Sequence, residues 1–478
     1  MLPELIIVLT AFVVLLLDLF FAEEQKKILP VLALIGVLIA MGNVIFWMPE
    51  QGVVFGGRFV FDSLGAWFKL IFLAASGATI LLSWDRLVGK VSDAGSRLEH
   101  PGEFYSILLF TLSGMMFLIS ARDLVTLYVS LELATIPLFV LVAWKRENAF
   151  SGEAGLKYVI LGILSSAVLI YGLGILYALG GSMVLEEIGK NLSPSPAFWL
   201  ATALIVAGIG FKLALVPFHM WAADVYQGAP TPITAHLSVA SKSAGLALMF
   251  LLFFRVLGPA VSEWNGFLAI LATITMTLGN GVAIVQQNIK RFMAFSSISQ
   301  AGYLIMGFIG PFPEGMPAMI FYLLAYLFTN LLVFAVIVFY ANETGAEAIS
   351  DYRGLSRTNP LMALAMMIGL FSLAGIPPLS GFVGKFFLFS VASKAGLHWL
   401  VAVAAVNSTV SLYYYLRIVR QMYIEPAEEN AVRLPVSPVL ASTVGLTLLG
   451  TVLVGILPGF YENIAQSVAA AEWWSIGR

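Results

Sequence analysis

Glu132, Lys212, Lys242 and Lys385 each interrupt a long apolar run, and each needs a reason to be there. Soluble cores rarely bury a lysine and membrane helices almost never do. Lys212 and Lys242 share the stretch FKLALVPFHMWAADVYQGAPTPITAHLSVASK, residues 211–242, in which Pro217 breaks an apolar helix and a proline-rich turn follows. The proline removes a backbone donor and clashes with the carbonyl of Leu213, so freed carbonyls beside the Lys212 ammonium can take its protons. Lys242 lies about twelve residues from either end of its run, roughly 18 Å at 1.5 Å per residue, too deep for comfortable snorkelling. Glu132 sits mid-run in LVTLYVSLELATIPLFVLVA, and Lys385 follows a second break, GIPPLSGF, at Gly375–Phe382. Near the N-terminus of the half-helix after that break, the helix dipole disfavours an ammonium.

The chemistry these residues suit is proton transfer. A charge buried alone in hydrocarbon costs several kcal/mol, so Glu132 and Lys212 are expected to pair, and a change in their separation would alter how tightly Lys212 holds its proton. The bland alternatives are a permanent ion pair and a protonated Glu132 bonded to a neighbouring helix. Lys242 has no local carboxylate and reads as a relay that is neutral part of the time. Lys385 reads as a terminal relay, with an interfacial lysine as the alternative. His219, two residues after Pro217, can join the relay by holding water or bridging lysines, or serve only as a hydrogen-bonded structural group; His236 reads as structural. Lys69, Lys157, Asp18 and Glu4 fall near span ends, where snorkelling or interfacial roles are the default. Asp62, Asp123 and Asp224 flank helix starts or turns and read as caps.

The elements that must hold these residues are membrane helices. The chain is 60% apolar and 11% charged, far below the quarter usual in soluble domains. Apolar runs long enough to cross the bilayer fall near 2–21, 28–48, 63–83, 103–119, 123–144, 154–179, 197–219, 231–255, 264–285, 292–310, 317–341, 360–391, 397–423 and 436–457. Neither the alternation nor the short segments of a barrel appear, so the class is an all-α polytopic bundle of fourteen spans. A formal net charge of −2 gives no basic patch for nucleic acid. With no cysteine there is no disulfide and no thiolate-held cluster, and the four histidines lack metal-site spacing. The N-terminal run lacks the basic start and small-residue cleavage pattern of a signal peptide and reads as a retained first helix.

Lysine and arginine distribute unevenly between the connections. Odd-numbered connections, with the helix end feeding the last of them, hold Lys26, Lys27, Arg86, Lys90, Arg97, Lys145, Arg146, Lys290, Arg291, Arg353, Arg357, Arg417, Arg420 and Arg433. Even-numbered ones hold only Arg58, Arg122, Lys190, Arg255 and Lys394, which places both termini outside the cytoplasm. The longest connection, around 84–102, reads as a solvated linker, so cofactor chemistry is left to partners. The two breaks lie five spans apart, in spans 7 and 12, and an odd offset implies repeats of opposite topology, the pattern that brackets a midplane ion site.

The stretches LYVSLELATIPLFVL, KLALVPFHMWAADVYQGAPTPITAHLSVASKSAG, NIKRFMAFSSISQAGYL and LAGIPPLSGFVGKFFLF resemble the antiporter-like membrane subunits of respiratory complex I over roughly residues 100–420. The pattern is closest to the subunit N branch: there is no long C-terminal lateral helix as in subunit L, and Lys385 stands where subunit M carries glutamate. The resemblance implies N-terminal helices 1–3 over residues 1–99, inverted five-helix repeats over 100–257 and 258–425, and a C-terminal helix in 426–478. It implies a proton channel in which Glu132, Lys212, Lys242 and Lys385 are the helix-5, helix-7, helix-8 and helix-12 residues. It implies no cofactor in this chain, with NADH, FMN, iron–sulfur clusters and quinone in partner subunits, and other membrane subunits and lipid as neighbours. Three positions depart from the usual pattern: Ala223 replaces a common proline, His236 stands where an aromatic is usual, and Gln300 stands where histidine is common. Gln300 cannot carry a proton, which puts a relay through that position in question.

A subunit of a multisubunit cation/proton (Na+/H+) antiporter shares these motifs and is the main alternative. A membrane scaffold and an organic-solute transporter are further readings, the latter requiring a wide cavity between the repeats.

Overall fold

The computed structural model describes residues 1–48, 50, 52–85, 98–257, 261–310, 314–427, 432–457 and 459–470. Every one of the fourteen expected spans is helical. The first five are α1 (Leu2–Phe20), α2 (Leu29–Trp47), α3 (Ser63–Ser83), α4 (Pro101–Ser120) and α5 (Leu124–Val142). Then come α6 (Ala149–Gly180), α7 (Pro196–Leu213), α8 (Thr231–Arg255), α9 (Val261–Ala283) and α10 (Ile289–Ile305). The last are α11 (Gly315–Thr344), α12 in two halves (Pro360–Ala374 and Ser380–Lys394), α13 (His398–Tyr423) and α14 (Pro438–Ile456). Twelve of them are single helices long and apolar enough to cross a membrane alone. The other two are α10, with 17 residues, and the divided α12. The fold is therefore that of a multi-pass membrane protein.

Burial sorts the helices. The apolar window of α8 is 94% buried and that of α11 is 89%, against 28% for α1 and for α6. α8 and α11 form the centre, and α1 and α6 the rim, where side chains such as Leu9, Phe12, Leu156 and Ile160 point outward. Lipid offers helices no hydrophobic drive to associate, so close approach depends on small residues. At Gly114 of α4 a Cβ would lie 2.4 Å from the backbone nitrogen of Ala134 in α5, and the helix carrying Glu132 is seated by that contact.

Asp62 and Asp123 cap α3 and α5 as expected, accepting from Gly65 N and from Val125 N and Thr126 N. Several short elements were not foreseen, among them a hairpin and a final helix. The α2–α3 connection carries a hairpin, β1 (Gly52–Val54) with β2 (Phe59–Phe61), because GVV and FVF flank Gly56 and Gly57, both at positive φ as a tight turn requires. A final helix, α15 (Gly459–Ala470), follows α14. The linker expected around 84–102 lies largely outside the described residues, as do Arg86, Lys90 and Arg97 and part of the 426–478 segment.

Glu4 and Lys69 do not snorkel. Both are fully buried, and Lys69 Nζ lies 2.6 Å from Glu4 Oε1 and 4.7 Å from the centre of the Phe61 ring. Their distance from a span end, counted along the chain, is short, but α1 and α3 close over them and the β-hairpin aromatics cover the pair. Replacing Lys69 by Met should leave the buried Glu4 with only the terminal ammonium of Met1, 3.3 Å from its Oε2, and cost somewhat less than the about 3–5 kcal/mol of a fully uncompensated buried charge, and adding Glu4→Gln should recover most of it. Thermal unfolding of the single and double variants in detergent or nanodiscs measures both effects.

Candidate functional site

The site begins with two broken helices that end in the same way. At the end of α7, Ala214 takes the left-handed conformation (φ 56), Ala214 N donates to Phe211 O and Leu215 N to Gly210 O. At the break of α12, Gly375 takes it (φ 89), Gly375 N donates to Ser372 O and Ile376 N to Phe371 O. Both are Schellman closures, which satisfy two carbonyls and leave the next ones open. The prolines that follow, Pro217 and Pro378, are each preceded by a cis peptide bond. The open carbonyls carry the partial negative charge of a helix C-terminus.

A lysine from elsewhere meets each set. Lys242 Nζ donates to Leu213 O at 3.4 Å and to Ser297 O of α10 at 2.6 Å. Lys385 Nζ donates to Leu373 O at 2.8 Å, Ala374 O at 3.2 Å and the Ser408 hydroxyl of α13 at 3.0 Å, and stands 4.6 Å from the centre of the Tyr303 ring. Both lysines are buried. Two expectations change. The Leu213 carbonyl freed at the break serves Lys242 rather than Lys212. Lys385 starts near the N-terminus of its half-helix, yet its ammonium folds back onto the C-terminal carbonyls of the preceding half, where the dipole favours the charge.

Lys212 is buried and donates to the Thr135 hydroxyl of α5, which in turn donates to Leu131 O at 2.7 Å. Thr135 is three residues from Glu132, on the same helix face. Lys212 and Glu132 thus stand within electrostatic range without forming a salt bridge, and Glu132 Oε1 is buried with no hydrogen-bond partner. Gly245 of α8 allows this approach, because a Cβ there would lie 2.7 Å from Leu213 and 3.2 Å from the Lys212 side chain.

Between Lys242 and Lys385 the polar contacts run along α10. Ser297 and Gln300 are one turn apart. Gln300 Nε2 donates to Leu373 O at 3.2 Å, the same carbonyl that receives Lys385, and lies 3.4 Å from the Tyr415 hydroxyl; its Oε1 accepts from Tyr322. Tyr415 and Ser296 share a hydrogen bond of 2.5 Å. Sequence reasoning named the lysines but not Thr135, Ser297, Ser408 or the tyrosines. The serines of SSISQ on an otherwise apolar helix were the available signal.

Residues 121–411 match the family model described as NADH:quinone oxidoreductase/Mrp antiporter, TM. The chain belongs to that family. It is 38% identical to the NADH-quinone oxidoreductase subunit N of Desulforamulus reducens, covering 98% of this chain and 97% of that one. It is 43% identical to the subunit of the same name from Moorella thermoacetica, covering 89% and 88%. A chain of respiratory complex I from Thermus thermophilus superposes with a TM-score of 0.81 at 31% identity, covering 96% and 97%. A chain of the Mrp complex from Dietzia superposes as well, with a TM-score of 0.82, but at 22% identity it speaks to the fold alone. Within the family the chain falls with the N-type subunits, which are components of multisubunit membrane complexes.

The positions that depart from the usual antiporter-like pattern can now be placed. Gln300 is buried on the Lys385 side, bonded to Leu373 O, Tyr415 and Tyr322, one helical turn from the Ser297 carbonyl that receives Lys242. His236 is fully buried at the start of a π-helical turn, Leu237–Ser241, that leads directly into Lys242, and its Nδ1 lies 3.2 Å from Thr79 Oγ1 of α3. Such turns widen a helix and recur at functional positions. Ala223 is buried in the short helix Ala222–Gly228 between the break and α8. His219 is half-buried beside the break, its Nδ1 without a partner, and makes no hydrogen bond to any of the lysines among the described residues. Asp224 is no cap: it joins Lys157 at 2.7 Å and Arg291 at 2.6 Å. Burial would raise its carboxyl, but the hydrogen bonds from Lys157 and Arg291 hold it below the usual carboxylate range. Lys157 accordingly works as a tie between α6 and this segment rather than as a snorkelling side chain.

Replacing Gln300 by Leu should strand the buried Tyr322 hydroxyl and remove a donor from Leu373 O. The expected loss is about 1–3 kcal/mol, read as a lower unfolding temperature of the purified protein.

Proposed function

We propose that Glu132, Lys212, Lys242 and Lys385 form the relay by which this subunit of an NADH:quinone oxidoreductase moves protons across the membrane. The observation that carries the reading is that α10 faces both lysine seats, with Ser297 O accepting from Lys242 and, one turn on, Gln300 sharing Leu373 O with Lys385. Carbonyls and an amide cannot themselves pass a proton on. They seat the ammoniums, while lysines, hydroxyls and water carry the proton between seats. A charge change delivered to Glu132 from a neighbouring subunit would alter the hold on Lys212, and the proton would continue by way of Lys242. His219, off the relay, belongs at most to its access.

In this reading the units are helices 1–3 in 1–99, a first repeat in 100–257, an inverted second repeat in 258–425 and the C-terminal part in 426–478. The unequal distribution of lysine and arginine supports both termini on the outer side, and the bacterial relatives support a bacterial cell membrane. NADH, FMN, iron–sulfur clusters and quinone would be held by partner subunits. The antiporter alternative predicts cation-coupled proton exchange without an associated dehydrogenase. Identification of the proteins that co-purify with the chain separates the two.

Lys212→Met, Glu132→Gln and Lys242→Met, introduced singly into the assembled complex, should each lower proton pumping by about tenfold or more in reconstituted vesicles. Lys242→Arg keeps the charge but cannot release its proton, so it should fail as well, whereas a purely structural lysine would be replaced with little loss. Normal pumping by assembled Lys212→Met and Glu132→Gln variants would overturn the relay.

A further inference from the structure

The end of α12 farthest from its break carries a feature the relay does not use. Arg357 and Arg433 line one cavity of about 610 Å³ together with Asn359, Leu361, Val436 and Ala441, where the start of α12 meets the start of α14. Among the described residues neither arginine makes a salt bridge or a hydrogen bond to a carboxylate. Arginines elsewhere in the chain do find partners: Arg122 bonds Asp62, Arg291 bonds Asp224 and Arg420 bonds Glu425.

The cavity walls are tied in place. The buried Asn359 amide donates to Leu434 O at 2.9 Å and accepts from Leu434 N at 3.1 Å, which fixes the residue next to Arg433 against the start of α12. Gly354 N donates to Gln421 O at 3.0 Å, and a Cβ on Gly354 would lie 2.5 Å from Ala427, so the turn leading to Arg357 packs without slack. Because Asn359 is spent on Leu434, it does not cap α12 with its side chain. The outer rim is apolar, with Leu361 73% exposed.

We propose that this cavity seats the phosphate of an anionic phospholipid, whose acyl chains lie against Leu361, Val436 and Ala441 at the starts of α12 and α14. Two guanidiniums on fixed backbone suit a phosphate's oxygens, and basic pockets between membrane helices on the lysine- and arginine-rich face are where such headgroups bind. The exposed Leu361 and its apolar neighbours provide the contact that a free phosphate would leave unused. The proposal is independent of the proton relay.

The test uses the intact complex in bilayers containing phosphatidylglycerol or phosphatidylcholine with a photoactivatable group on an acyl chain, and maps the cross-links by mass spectrometry. Phosphatidylglycerol should label the segment around Leu361, Val436 and Ala441 about tenfold or more over phosphatidylcholine, the ratio two basic side chains provide. Arg357→Gln with Arg433→Gln should abolish that preference, and the corresponding double Lys substitution should retain much of it. Equal labelling by the two lipids overturns the proposal, as does displacement of the lipid by millimolar inorganic phosphate. So does a cross-link between these arginines and a neighbouring subunit in place of lipid. Glu428 and Glu429, outside the described residues, are the chain's own rivals for the arginines. If labelling appears only after both are changed to Gln, the arginines serve the chain and the proposal falls.

Discussion

A helix that stops inside hydrocarbon leaves carbonyls that nothing in the lipid can satisfy, and the interior of this protein is arranged around that constraint. α7 and α12 both stop there. Each closes its last turn with a Schellman motif and a residue at positive φ, and each still has carbonyls to spare. The donors that meet them are ammonium groups: Lys242 at Leu213 O, and Lys385 at Leu373 O and Ala374 O. Two costly features, a broken helix and a buried lysine, offset each other at each place. That removes the need for a carboxylate beside either lysine, and among the described residues none is hydrogen-bonded to them.

The rest of the core serves this arrangement. Every residue of α8 from Thr231 to Phe253 is buried, so Lys242 has no route to the lipid surface. The π-helical turn before it re-aims the lysine, and Gly245 after it lets α8 approach the end of α7. α10 lies between the two breaks and presents Ser297 to one and Gln300 to the other. Glu132 and Lys212 stand to one side of this string, Lys212 bonded to Thr135 one turn from Glu132 rather than to the carboxylate, which has one oxygen left open.

Much of this was legible in the sequence, for a simple reason. In a chain whose solvent is lipid, a charge or a proline within an apolar run is expensive, and expense makes Glu132, Lys212, Pro217, Lys242, Pro378 and Lys385 conspicuous. Their partners were not legible because most are backbone carbonyls, which every residue has. The sequence placed Lys212 beside the Leu213 carbonyl by proximity along the chain, whereas Lys242, twenty-nine residues further on, holds it. Glu4 and Lys69 were misjudged for the same reason, since depth along a helix says little about which neighbours close over it. The π-helical turn has no sequence signature, and LSVAS reads as ordinary helix.

Lys242 and Lys385 cap the broken helices. An ammonium offers three donors; once it gives up its proton it becomes an amine with fewer donors and no charge to set against the helix end. The last turns of α7 and α12 would then lose their counter-charge at the moment a proton departs. Proton occupancy and the geometry of the breaks are therefore thermodynamically linked, and linkage runs both ways. Under the proposed relay, whatever tightens or loosens a break would change the hold of its lysine on a proton, and each proton lost would loosen a hinge. In such an arrangement the half-helices act as mechanical elements, with the ammonium as their latch.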